Sequence, residues 1–194
     1  SVIVGIVVVI AGYFAYANFV AAPNEQQAKE MMFMAEQYFA QDSLNKAIYG
    51  DGVNLGFLEI QDRFGSTKAG NLASYYLGIS FLRSGQFEAA IDALEDFSSD
   101  DILISSIALG AQGDAYMELG DKSKAASFYS KAAKENANEF TSPIYFMKAG
   151  MAYEAAGEYK DALEAFKAIK KDYSATAEGS EVEKYIARVE TFIN

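Results

Sequence analysis

The residues able to do chemistry in this chain are its 27 carboxylates, 16 lysines and arginines and 13 tyrosines, because histidine and cysteine are both absent. The commonest general base and metal ligand is therefore missing, and with it thiol catalysis, thiolate metal sites and disulfides. No carboxylate stands apart as an acid–base pair. Asp51, in Gly50-Asp51-Gly52, is a single carboxylate in a chain-breaking turn, far short of a calcium loop, and is expected to be structural. No nucleophile–base pair, phosphate loop or metal cluster is visible, so no catalytic residue, metal or cofactor is expected and the chain is not read as an enzyme. The formal charge of −11 repels phosphate, and no basic stripe with interleaved aromatics appears. Nucleic-acid binding is therefore not expected, and binding to anionic headgroups is disfavoured for the same reason. What remains is recognition by surfaces, and helices must present them.

The clearest helices lie between Pro143 and Tyr173. Phe146, Ala149, Gly150 and Tyr153 share one face of a first helix, which Gly157 ends. Tyr159, Ala162, Leu163, Phe166 and Ile169 share one face of a second. Gly150 and Ala162 fall where two helices approach closely, and Tyr153 and Phe166 fill the space around them. The same spacing recurs in Gly113, Tyr116, Gly120, Ala125 and Tyr129, and in Gly78, Phe81, Gly85, Ala90 and Leu94.

A period near 34 residues, with a small-x2-aromatic step and a later Ala-x3-large step, resembles the tetratricopeptide repeat (TPR). Three units match over 71–174, although the family's usual Trp position holds Ser74, Leu109 and Phe146. The expected fold is all-α: a TPR helical-hairpin solenoid preceded by a single transmembrane helix and closed by a C-terminal capping helix at 175–194. A degenerate first hairpin and a linker are expected over 23–70. There Ala35 takes the glycine position and Tyr38 the aromatic one. Gly56 and Ile60 are expected at the small and large positions of its second helix, after an insert within 42–55. Ser180-Glu181-Val182-Glu183 reads as a capping box starting the last helix.

Residues 1–22 carry no charge, and about 20 apolar residues span a bilayer core. Tyr13, Phe14, Tyr16 and Phe19 suit an interfacial belt. A cleaved signal peptide is the rival, with Ala15-Tyr16-Ala17 as its small-x-small site. The sequence opens without Met or a basic region, so the N-terminus is expected upstream of Ser1. Gly5, Val8, Gly12 and Ala15 share one face, where small residues admit a second membrane helix. Pro23 is expected to end or redirect this helix. No cation follows it until Lys29, which favours the remaining domain lying outside the cytoplasm.

The TPR resemblance implies a peptide groove formed by the first helix of each pair. Its lining would be Met32, Glu36 and Phe39; Tyr75, Ile79, Leu82 and Arg83; Gly110, Asp114, Met117 and Glu118; and Met147, Met151 and Glu154. Methionine thioethers adapt to varied apolar partners. The basic set with which chaperone-binding TPRs grip a terminal carboxylate is absent, and only Arg83 is basic. The rival expectation is that these methionines pack against the chain's own terminal helices.

The whole architecture resembles the single-span periplasmic TPR proteins that accompany the bacterial Sec translocon, the YfgM-like ancillary subunits. So does the local wording: GDGVNLGFLEI, GSTKAGNLASYYLGISFL and NEFTSPIYFMKAG. The resemblance implies a bacterial inner-membrane adaptor with its TPR domain in the periplasm. Its implied partners are translocon subunits, a prolyl-isomerase-type periplasmic chaperone and exported chains. Two other readings of the same architecture are a scaffold of another envelope complex, in outer-membrane assembly or cell division, and an import receptor with a cytosolic TPR domain.

Overall fold

Helix α1 (Val2–Tyr16) passes through a π-helical turn (Ala17–Ala21) straight into α2 (Ala22–Ala40) in the computed structural model, which describes residues 2–193. Pro23 neither ends nor redirects this helix. Proline lacks the N–H owed to the carbonyl four residues back, and its ring crowds that turn. The backbone widens just before it: the Ala22 N–H donates to the Ala17 carbonyl, and the Asn18 side-chain amide donates to the Phe14 carbonyl at 2.8 Å. The apolar segment and the first repeat helix are therefore one rod, with no tether at residue 23.

The chain divides after residue 84 into two compact units. The first continues with α3 (Leu44–Tyr49), α4 (Phe57–Phe64) and α5 (Lys68–Arg83). The second holds α6 (Phe87–Glu95), α7 (Ile104–Glu118), α8 (Lys122–Glu135), α9 (Ser142–Ala156), α10 (Tyr159–Asp172) and α11 (Ala177–Glu190). No strand occurs among the described residues.

The repeat geometry rests on a close approach of backbone to ring. A Cβ built on Gly113 would stand 2.6 Å from Tyr129 Cδ1, and one on Gly150 would stand 2.3 Å from Phe166 Cε1. Only glycine lets those rings lie against the first helix of each pair. Seven residues beyond each glycine the helix stops in the left-handed conformation, at Gly120 (φ 82°) and Gly157 (φ 79°). The Gly120 N–H then bonds to the Met117 carbonyl, and the Asp121 N–H to that of Tyr116.

Ala35, in the expected glycine position, obeys the same rule. Seven residues on, Asp42 has φ 57°, the only positive φ of a non-glycine among the described residues. Its N–H bonds to the Phe39 carbonyl and that of Ser43 to the Tyr38 carbonyl, reproducing the turn of the later repeats. The second helix sits in a different register from the one expected. Alanines 125 and 162 lie four residues after their N-caps, Asp121 and Glu158, and Tyr129 and Phe166 lie eight after. Counted from Gly56, the N-cap of α4, those places fall to Ile60 and Phe64, both buried. Gly56 is needed for another reason: a Cβ there would stand 2.3 Å from the Ile48 carbonyl oxygen.

The insert is a helix and a hydrogen-bonded loop. Helix α3 buries Ala47 and Ile48. Asp51 then organises the loop: its Oδ1 accepts the N–H groups of Val53 (2.9 Å) and Asn54 (2.7 Å), and its Oδ2 accepts the Tyr38 hydroxyl (2.7 Å). The expected structural role is the one observed. The Asn54 and Val53 amides and the Tyr38 hydroxyl hold this carboxyl well below the usual carboxylate range.

At the other end, α11 starts a turn earlier than expected. Thr176 caps it by accepting the Gly179 N–H, while the Ser180 hydroxyl donates to the Ala177 carbonyl inside the helix. Val182, Ile186 and Val189 are buried in the core shared with α8, α9 and α10. Phe192 stacks on Tyr159 at 4.7 Å, so the end of the chain covers the last repeat.

These local geometries differ in what a substitution should cost. Gly157→Ala should cost about 1 kcal/mol through its left-handed backbone, and Gly150→Ala about 2 kcal/mol or more, because buried Phe166 cannot yield to the new Cβ. Urea unfolding of each variant measures both, and equal costs would refute the close-approach account. For Asp51 the folded pKa lies below the unfolded value of about 3.9, so its stabilisation is complete above that pH and is lost as the pH falls through the folded value. The melting temperature of Asp51→Ala should therefore lie below that of the parent at pH 7 and converge on it at strongly acid pH.

Candidate functional site

Helices α2 and α5 lie side by side and run parallel. Near their starts Glu25 Oε2 accepts the Ala69 N–H at 3.1 Å, and beyond their ends Asp42 Oδ1 accepts from Arg83 Nη2 at 2.7 Å. Between them opens a hollow of about 420 Å³, lined in part by Lys29, Met32, Glu36 and Leu72. Met32 is 3% exposed and forms part of its floor. Burial pushes the Glu36 carboxyl above its ordinary range. Burial also acts to raise Glu25, but the Ala69 N–H, the Lys29 ammonium and the Lys68 N–H outweigh it and the carboxyl is lowered. Glu25 thus remains an anion at the N-terminus of α5, where the helix dipole favours one.

The far end of this face is occupied by the protein's own rings. Phe39 meets Tyr76 edge-on at 5.2 Å, Tyr76 stacks on Phe57 at 5.2 Å, and Tyr75 meets Tyr76 at 5.6 Å. Arg83, the one cation expected in the groove, pairs with Asp42 and covers the Phe39 ring at 5.1 Å. Phe39 and Arg83 are thereby engaged within the chain. Ile79 and Leu82 are half-buried.

In the second unit two of the acidic candidates, Asp114 and Glu154, are paired with cations. Asp114 Oδ1 accepts from the Tyr129 hydroxyl at 2.6 Å and from Lys148 Nζ at 2.7 Å, and Lys148 lies over the Tyr129 and Tyr145 rings. Burial first, and Asp114 second, push the Tyr129 phenol far up, so it stays a donor. Tyr145 also packs where a Gly110 side chain would stand, 2.1 Å from the built Cβ. Glu154 accepts from Arg188 of α11 at 2.5 Å. Met117 and Met147 are partly buried against the core that α8, α9, α10 and α11 share, whereas Met151 stays 47% exposed and Glu118 is exposed.

Lys148 and Arg188 lie outside the groove positions read from the repeat, and so the sequence reading missed them. A signal was available: Asp114 to Lys148 and Glu154 to Arg188 are each 34 residues apart, one repeat period, with opposite charges. Opposite charges at the repeat spacing meet between neighbouring first helices, or between the last of them and α11.

The face of Gly5, Val8, Gly12 and Ala15 is exposed, and a Cβ on either glycine would meet nothing within 4 Å. Helical residues Val4–Ala40 are long and apolar enough to cross a membrane, and none of the apolar window is buried.

Two family models described as tetratricopeptide repeat match the chain, one over 75–139 and one over 145–176. Among solved structures, the chain is similar to a point variant of the nearly identical TPR-like repeats of a putative kinesin light chain from Podosopora anserina. That match has a TM-score of 0.55 at 14% identity over 86% of each chain, a likeness of fold. No curated protein matches the chain.

In a double-mutant cycle, Asp114→Asn and Lys148→Gln should couple by about 0.5–1 kcal/mol, the range for half-exposed ion pairs, and the coupling should shrink at high salt. Additive losses would show that the pair contributes nothing of its own.

Proposed function

We propose that this chain, which carries tetratricopeptide repeats over 75–139 and 145–176, is a non-catalytic, membrane-anchored periplasmic adaptor. It serves as an accessory subunit of the Sec translocon that recruits a prolyl-isomerase-type chaperone and assists exported chains. The observation that carries the anchored reading is the 37-residue helix Val4–Ala40, whose apolar half has no buried surface and enters the repeats without a break. Cleavage at Ala15–Ala17 would cut this rod in mid-helix and leave the π-helical turn as its end, which favours an anchor over a removed leader. The flank that follows the apolar helix, residues 24–28, carries no cation, which supports the periplasmic side for the repeats. The translocon assignment rests on the resemblance in architecture and wording to YfgM-like subunits.

The free parts of the first helices define what a partner meets. Met151 is exposed, and Met32 and Glu36 line the hollow beside α5. Apolar, adaptable surface of this kind suits a helix or extended segment that buries its own apolar side chains. The pairing of Arg83, Lys148 and Arg188 with acids leaves little to attract an acidic tail.

The test is a mild-detergent pull-down of the protein with and without residues 1–22, read by mass spectrometry. Translocon subunits and a periplasmic chaperone should be recovered with the intact protein, and the translocon lost without the apolar helix. Recovery of outer-membrane assembly or division proteins alone would refute the translocon assignment and leave an anchored scaffold.

A further inference from the structure

The way the anchor joins the first unit fixes more than attachment. Helix α4 runs antiparallel to its neighbours: Phe57 at its start meets Phe39 and Tyr76, whereas the Phe64 carbonyl at its end lies against Gly70, where a Cβ would come within 1.9 Å. Its C-terminus and the N-terminus of α5 therefore meet in a corner, residues 65–68, at the end of the unit nearest the apolar helix. Two sets of contacts pin that corner. Glu25 accepts the Ala69 N–H from across the junction. Thr67 caps α5 by accepting the Gly70 N–H, and its own N–H donates to the Phe64 carbonyl. A shallow hollow of about 260 Å³ separates the corner from the rod, lined by Tyr16, Ala21 and Ala22 on one side and Ser66, Thr67 and Lys68 on the other.

We infer that this corner stands on the lipid surface: residues 65–68 sit at headgroup depth, held there by the rigid junction with the anchor. The inference rests on the anchored reading above. The uncharged segment from Val2 to Ala22 is about 31 Å long at 1.5 Å per residue, against a hydrocarbon core of about 30 Å. Phe19 is 82% exposed and Tyr16 57% exposed, as interfacial aromatics are. Ala21, Ala22 and Tyr16 then lie at or just below the headgroups, and Ser66–Lys68 face them across the hollow. The corner is suited to that place. It is short and polar, and Lys68 stands there beside Glu25, whose carboxylate is turned to Lys29 and the Ala69 N–H. Gln41, by contrast, ends α2 about 28 Å further along the rod, clear of the bilayer.

The absence of native cysteine makes the test direct. Single-cysteine variants Val9→Cys, Ser66→Cys and Gln41→Cys of the full chain, each carrying an environment-sensitive fluorophore, are placed in phosphatidylcholine–phosphatidylglycerol nanodiscs. Quenching by headgroup-labelled and acyl-chain-labelled spin lipids is then measured. The expected pattern is acyl-chain quenching at Val9, headgroup quenching at Ser66 several-fold stronger than at Gln41, and loss of the Ser66 signal alone when a flexible Gly-Ser insertion follows Ala22. Quenching at Val9 with Ser66 no stronger than Gln41 overturns the inference and leaves the anchor standing. No quenching at Val9 overturns the anchor and the inference with it.

Discussion

The constraint on which the repeats depend is the seating of a ring against a glycine. Tyr129 and Phe166 lie so close to Gly113 and Gly150 that no Cβ fits between. That approach sets the distance between paired helices. The left-handed residue seven positions later sets where the first helix must stop, and a cap such as Asp121 or Glu158 starts the next. Each second helix then presents its alanine to the crossing at the fourth place and its large residue at the eighth. The first pair shows how much of this scheme can be altered. It has alanine for glycine at 35 and a strained aspartate at the turn, and it admits a whole extra helix before the cap. Ile60 and Phe64 still reach the places that the scheme assigns them.

That economy explains what was legible in the sequence. Glycine–aromatic spacings are repeated in residue types that serve few other purposes, so the three later repeats, the helical class and the place of Ala35 could be read directly. The register of α4 could not, because Gly56 answers to a different demand. It avoids the Ile48 carbonyl in the loop, yet by type it looks like a crossing residue. Pro23 misled for a related reason. Proline disrupts a helix by the bond it withholds and by the crowding of its ring, and here a π-helical turn just before it lets the helix run on. Compensation of that kind depends on neighbours three-dimensionally placed, not on any one residue type.

The face of the first helices illustrates the same divide in electrostatic terms. Its acids and methionines could be listed from their positions in the repeat, but their availability could not. Asp114 and Glu154 each meet a cation one repeat further on, and Met117 and Met147 lean into a core that α11 completes. Charges spaced by the repeat length serve to lock successive units together before they serve any partner. What is left open on that face includes Met151 and Glu118, with Glu36 half-buried at the hollow beside α5.

A repeat domain on a flexible tether samples all orientations, and any surface of it can face the membrane. The rod from Val2 to Ala40 removes that freedom, because bending it would cost helical hydrogen bonds and the contacts of α2 with α3, α4 and α5. The Glu25 carboxylate, in the first turn of α2, ties that helix to the start of α5 and so carries the direction of the rod into the rest of the first unit. On the anchored reading proposed above, the hollow between α2 and α5 keeps a fixed direction relative to the bilayer, and a partner that enters it beside Glu36 approaches along the membrane surface, as one held in the same bilayer would.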